Sequence, residues 1–266
     1  MKVSTIFNQF FKCNQCKLTL TSPRIRNNQR HSVSRKIMTE KIDWSRLDPF
    51  QIGLLQEQCI LVDENDKIVG FDSKKHCHLM ENIEKGLLHR AFSVMIFNSR
   101  NEFLLTQRSK QKITFPNYFT NTCCSHPLYN AMEIEEKDAI GVRRAAQRRL
   151  NLELGIDPLE IPLSEIKFMT KFLYKAESSD SFWGEHEIDY ALIIHKDIHI
   201  DPDPKEIQSW LYIDRQTIVP YLEEQKRKGN PTTPWFQIIL NNFLFKWWDN
   251  LEDLDAFIEP NKIHRL

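Results

Sequence analysis

The chain has 266 residues, of which 41 % are hydrophobic and 27 % charged, enough to bury a sizeable core in one large domain or two small ones. Lys plus Arg and Asp plus Glu each number 36, so no global field directs the chain to nucleic acid or an anionic membrane, and any basic partner site must be local. No apolar run approaches the roughly 20 residues of a membrane-spanning helix.

From Met1 to Thr39 there are eight Lys or Arg and no Asp or Glu, with Ser, Thr and Asn in quantity. This stretch reads as an organelle-targeting leader, with an unstructured basic tail as the plainer alternative. Met38 offers an internal start that omits it. Residues 1–39 are therefore set apart from a single domain over 40–266. Cys13 and Cys16 have C-x-x-C spacing, but no second Cys/His pair follows at zinc-finger distance, which argues against zinc there. Cys59, Cys77, Cys123 and Cys124 complete the set. Vicinal Cys123 and Cys124 do not easily satisfy disulfide geometry with each other, so free thiols in a reducing compartment are expected.

Beyond the leader the pattern alternates strand and helix. Ser93 to Phe97 and Phe103 to Thr106 flank Asn98-Ser99-Arg100-Asn101 and read as a hairpin. Ala139 to Leu154 runs without Pro and is stopped by Gly155, predicting a helix with a C-terminal glycine. Glu187 to His195 is rich in β-branched and apolar residues and predicts a strand. Phe236 to Trp248 is an aromatic-rich helix with Pro234 as its start signal. The alternation predicts a layered α/β domain. His264-Arg265-Leu266 has the form of a degenerate peroxisomal signal related to S-K-L. The two ends point to different compartments: peroxisome, cytoplasm or, for the full-length form, mitochondrion.

Several residues carry chemistry. Glu185 and Glu187 enter the strand two apart, so they share a face while His186 points away. Paired carboxylates repel unless a cation or proton lies between them, although a solvated strand edge would show the same spacing. His126 lies two residues after Cys124 and shares its face in an extended segment. With His78 and His89, the paired Glu residues offer mixed N and O ligands suited to Mg, Mn or Zn, although such scattered ligands are no motif. Lys74, Arg108 and Lys112 stand in or beside loops, and Arg143, Arg144, Arg148 and Arg149 crowd one helix. In a neutral chain this local excess suits a phosphate or diphosphate, with at most one of the four helical arginines contributing.

Five segments together, NTCCSHPL (Asn121 to Leu128), ENIEKGLLHRAFSV (Glu81 to Val94), GVRRAAQRR (Gly141 to Arg149), WGEHEIDY (Trp183 to Tyr190) and FLFKWWDN (Phe243 to Asn250), resemble type I isopentenyl-diphosphate isomerases. The resemblance covers roughly residues 50 to 266. It implies a Nudix-type α/β/α sandwich with additional terminal helices, a core at about residues 87–237, and conversion of isopentenyl diphosphate to dimethylallyl diphosphate. It further implies Cys124 and Glu187 as the catalytic pair, with Tyr174 and Trp235 beside the reacting carbons. Lys74, Arg108, Lys112, Ser125 and Arg149 would hold the diphosphate. His78, His89, His126, Glu153, Glu185 and Glu187 would hold Mg2+, with Mn2+ or Zn2+ as alternatives at the His/Glu site, and a second magnesium would arrive with the diphosphate. A monomer acting on a small-molecule diphosphate is expected, without nucleic-acid or membrane partners.

Other functions predict different residues. A Nudix hydrolase carries R-E-U-x-E-E-x-G-U, and here Arg149 and Leu152 replace two of its three glutamates between Arg148 and Ile156. A cysteine hydrolase would need a base less close in sequence to Cys124 than His126. A non-catalytic metal-binding module would have no use for an acid opposite the ligands. The chain departs from the resemblance over Ala176 to Phe182, which is one residue longer, with Ser181 where glycine is common.

Overall fold

The computed structural model describes residues 47–266. The leader, Cys13, Cys16 and Met38 lie outside them. Ten strands make one mixed sheet whose main path runs β10-β7-β8-β3-β1-β2. The strands in chain order are β1 (Gln58–Val62), β2 (Ile68–Ser73), β3 (His89–Phe97), β4 (Phe103–Arg108), β5 (Phe119–Thr120), β6 (Cys123–Ser125), β7 (Lys167–Glu177), β8 (Gly184–His195), β9 (Ile207–Ile213) and β10 (Ile263–Arg265). Off the main path, β6 pairs with β3, and β4 pairs with β3, β5 and β9. The first three helices are α1 (Pro49–Leu54), α2 (Lys74–His78) and α3 (Met80–Ile83).

The central strands are apolar on both faces because both faces are covered, and every residue of β3 is buried. Phe92, Val94 and Ile96 of β3, with Ile188, Leu192 and Ile194 of β8, pack under helix α4 (Ile140–Leu154), which adds Val142, Ala146 and Leu150. On the other face Met95, Phe97, Ala191 and Ile193 meet α5 (Ile218–Arg227) and the aromatic C-terminal segment, represented by Trp235, Phe236 and Trp247. The result is a three-layer α/β/α arrangement. Residues 93–97 and 103–106 are joined by a tight turn, but they pair only at Phe97 and Phe103: β6 takes the β3 edge at Phe92–Val94, and the Thr122 hydroxyl sits between the diverging strands, accepting from the Ile96 amide and donating to the Leu104 carbonyl. The Asn98 side chain accepts from the backbone of Arg100 and Glu102 and shapes the turn.

The predicted helices form, with two refinements. Gly155 ends α4 in the left-handed region at φ 65°, where a side chain would be strained. The aromatic segment begins at Pro234 and is helical throughout, but a π turn over Leu240–Leu244 separates α6 (Pro234–Ile239) from α7 (Phe245–Trp248). Ser181 stands at φ 55°, which gives a backbone reason why glycine suits that place. The residues of the C-terminal tripeptide lie at the sheet edge, with His264 and Arg265 paired to Phe172 and Leu173.

The loop before α4 is tied to the second half of that helix through Glu133. Its carboxylate accepts from Arg148 Nε at 2.7 Å, Arg148 Nη2 at 2.9 Å and the Leu128 amide at 2.7 Å, while Arg148 also donates to the His126 carbonyl at 3.2 Å. Gly141 lies against this loop so closely that a Cβ would stand 2.3 Å from the Glu133 carbonyl oxygen. Backbone cannot yield as a flexible side chain does, so Gly141→Ala is expected to destabilise the fold by about 1–3 kcal/mol, read by urea unfolding. Unchanged stability would show that the loop yields freely.

Candidate active site

Cys123 and Cys124 are adjacent in a strand, so their side chains point to opposite faces of the sheet. Cys123 enters the core beneath α4, whereas Cys124 lines a cavity on the other face. In register, Cys124 lies opposite Ser93 on one side of β3 and Glu187 lies opposite His89 on the other side. Since 89 and 93 are an even number of residues apart, these cross-strand partners all face one way. Thus β3 carries the two reactive groups on its flanking strands toward one space.

That space is an open-mouthed cavity. Lys74, His78, Arg108, Lys112, Cys124, Ser125, His126, Tyr174, Glu185, Glu187 and Trp235 all line it, and Asp189 and Thr114 join them. Asp189 was legible by carrying the Glu185 and Glu187 alternation one step further. Its carboxylate accepts from Ser93 Oγ at 2.7 Å, while Oδ1 is buried without a partner.

His78, His89, His126, Glu185 and Glu187 bring one donor atom each within 4.8 Å of one another, and all five are buried. Glu187 Oε1 lies 2.8 Å from His126 Nε2 and 3.1 Å from His89 Nε2, and Glu185 Oε2 lies 3.0 Å from His78 Nε2. His89 Nε2 and Glu185 Oε2 nevertheless have no aligned hydrogen bond. Close but misaligned donors converging on a point fit a divalent cation better than they satisfy one another. The helix α2 (Lys74–His78) presents His78, whose other ring nitrogen lies 2.7 Å from the Lys74 carbonyl oxygen and so is held in place.

Burial lowers the His78 pKa to about 4 and that of His126 well below the usual range, which keeps both imidazoles neutral as ligands must be. Burial alone would raise Glu187, but the His126 hydrogen bond and the His89 ring close beside it outweigh this and hold its carboxyl well below the usual range. Burial, with the Glu187 charge beside it, pushes Glu185 well up. The other Glu187 oxygen accepts from the Tyr174 hydroxyl at 2.6 Å. Burial pushes the Cys124 thiol up to about 12, although Arg108 opposes this, so the thiol keeps its proton.

The basic residues divide into two groups. Arg108 is held by the Phe115 and Thr114 carbonyls, reaches Cys124 Sγ at 3.8 Å and stands over the Trp235 ring at 5.5 Å. Lys74 is half-buried, and its pKa is lowered by desolvation and then by neighbouring Arg149 and Lys112. Arg149 and Glu153 are joined in a buried i,i+4 ion pair on α4, with Nη2 to Oε1 at 2.6 Å. Neither lines the cavity, and Glu153 stands outside the His/Glu group. The reason is topological: α4 covers the face that receives Cys123, while the His/Glu group occupies the face of Cys124. Glu206, which the sequence reading missed, accepts from Lys112, from Arg149 at 3.4 Å and from Gln51 at 2.8 Å. Burial alone would raise its pKa, yet Lys112 and Arg149 hold it at about 2.

The Nudix domain family model matches residues 87–236. Isopentenyl-diphosphate Delta-isomerase 1 of Bos taurus is 57% identical, with the match covering 83% of this chain and 96% of that one. The protein of the same name in Mus musculus is 54% identical over 85% of this chain and 99% of its own. Isopentenyl-diphosphate Delta-isomerase II, chloroplastic, of Arabidopsis thaliana is 45% identical over 100% of this chain and 94% of its own. Identity of this extent in proteins matched along nearly their whole length, on a sheet that carries Cys124 and Glu187 into one cavity, shows that the chain belongs to the isopentenyl-diphosphate Delta-isomerase family within the Nudix superfamily.

Proposed function

We propose that the chain converts isopentenyl diphosphate to dimethylallyl diphosphate by adding a proton to the alkene and removing a different one, supplying isoprenoid synthesis. The observation that carries this reading is the thiol of Cys124 and the carboxylate of Glu187 facing one cavity. A proton-transfer isomerase needs such a donor and acceptor on either side of its substrate.

The steps balance without a redox partner. The π electrons of the terminal alkene take a proton from the acid and leave a tertiary carbocation; the C–H electrons of the allylic carbon then form the new double bond as the base takes that proton. Trp235 offers its ring face to the cation, an attraction of about 0.5–2 kcal/mol that involves no lone pair able to trap it. The Tyr174 hydroxyl orients Glu187. Lys74, Arg108, Lys112 and Ser125 line the cavity and hold the diphosphate as charge-assisted donors and a hydroxyl. A divalent cation on His78, His89, His126, Glu185 and Glu187, Mg2+ or alternatively Mn2+ or Zn2+, would lower the proton affinity of Glu187 and fix its orientation.

Incubation with isopentenyl diphosphate and magnesium in deuterated water, followed by NMR, tests the reading. Dimethylallyl diphosphate carrying deuterium is the expected product. Absence of both that product and exchange at the allylic carbon would sink the proposal, and release of inorganic phosphate would favour a hydrolase.

A further inference from the structure

Asn121 is fully buried between β5 and β6 and does not line the cavity. Its amide has two donor hydrogens and a two-lone-pair oxygen, and four hydrogen bonds use them all. Nδ2 donates to the Val94 carbonyl at 3.2 Å and the Cys123 carbonyl at 2.8 Å. Oδ1 accepts from Trp235 Nε1 at 3.1 Å and from Thr120 Oγ1 at 3.0 Å. Thr120 Oγ1 in turn lies 2.8 Å from Thr233 Oγ1, beside the proline that opens the helix bearing Trp235.

The two ends of this network are the strand that carries Cys124 and the ring of Trp235. The Cys123 carbonyl belongs to the peptide unit that contains the Cys124 nitrogen, so holding it sets the strand from which the thiol projects. The indole N–H fixes the rotation of the Trp235 ring about its own axis, which packing by Phe115 at 5.2 Å and Arg108 at 5.5 Å only flanks. A ring acts on a cation through its face, so a rotation that turns the edge inward reverses the sign of the interaction.

We infer that Asn121 is a positioning residue that locks the ring plane of Trp235 to the strand of Cys124. One side chain thereby sets the acid/base thiol and the cation-facing ring in a common frame. This inference rests on the isomerase reading and adds to it a residue that never touches substrate. It predicts that Asn121 acts on the proton-transfer step and not on diphosphate binding, because it bonds to none of Lys74, Arg108, Lys112 or Ser125.

The test is a double-mutant cycle in the full chain with magnesium, isopentenyl diphosphate as substrate, and unfolding midpoints measured beside kcat and KM. Asn121→Ala is expected to lower kcat by about 10- to 30-fold, the factor of a lost desolvated cation–ring contact, with KM little changed. In a Trp235→Phe background, which keeps a ring but has no N–H to orient, the same change should cost only a small further factor. Asn121→Asp keeps the acceptor for the indole and should recover part of the lost kcat. Should Asn121→Ala not fold, Asn121→Ser, too short to reach the indole, goes through the same cycle. Full multiplication of the two effects, or a rise in KM matching the fall in kcat, overturns the role of Asn121. Absence of isomerisation by the unsubstituted protein would instead overturn the functional reading beneath it.

Discussion

Cys124→Ala lowers turnover by about 10²- to 10⁴-fold, the range that loss of one positioned acid or base produces, while Cys123→Ala leaves most of it. The contrast follows from strand alternation. Cys124 projects into the cavity beside Arg108, whose guanidinium reaches its sulfur at 3.8 Å. Cys123 is wholly buried among the apolar side chains beneath α4. Its substitution by Ala removes one buried sulfur and costs stability, about 1 kcal/mol, rather than chemistry. Rates of dimethylallyl diphosphate formation for the two variants, with unfolding midpoints measured in parallel, separate these effects. Equal loss of turnover from both changes would mean that the strand does not divide the thiols as described.

The features legible in the sequence are those set by local periodicity. Alternation put Glu185 with Glu187 and Cys124 with His126, and both pairs line the cavity. His186 accordingly turns to the opposite face, where its Nδ1 lies 2.9 Å from the Leu87 carbonyl oxygen. Gly155 and Pro234 marked helix ends because each answers a backbone demand of its own. Arg149 and Glu153 show where this reasoning stops. Four residues apart on a helix, they were equally able to reach a ligand or each other, and only the packing of α4 against the Cys123 face decides between these. Glu206 and Asn121 were invisible for a related reason. Their partners lie 94 and 114 positions away in Lys112 and Trp235, and no spacing rule reaches that far. The π turn over Leu240–Leu244 likewise leaves no mark in an aromatic run that reads as one helix.

Glu187→Gln is expected to abolish turnover, by about 10²- to 10⁴-fold if only its acid/base role is lost, and to weaken metal retention at the same time. Glu187 serves two sets of partners with different oxygens: Oε1 faces His89 and His126, and Oε2 accepts the Tyr174 hydroxyl. A carboxylate is an acceptor at both ends, but an amide is an acceptor at one and a donor at the other. The substituted amide must therefore turn its NH2 toward the imidazoles, where it cannot ligate a cation, or toward Tyr174, whose hydroxyl must then accept instead of donate. Either orientation also removes the charge that contributes to the raised Glu185 pKa beside it. Tyr174→Phe isolates half of the effect, since it deletes the hydroxyl and leaves the carboxylate, so its loss of turnover should be the smaller. Metal content by elemental analysis after dialysis separates the two roles. Turnover lost with metal retained assigns Glu187 chiefly to proton transfer, whereas turnover and metal lost together make ligation its first task. Undiminished turnover in Glu187→Gln would remove Glu187 from the mechanism altogether.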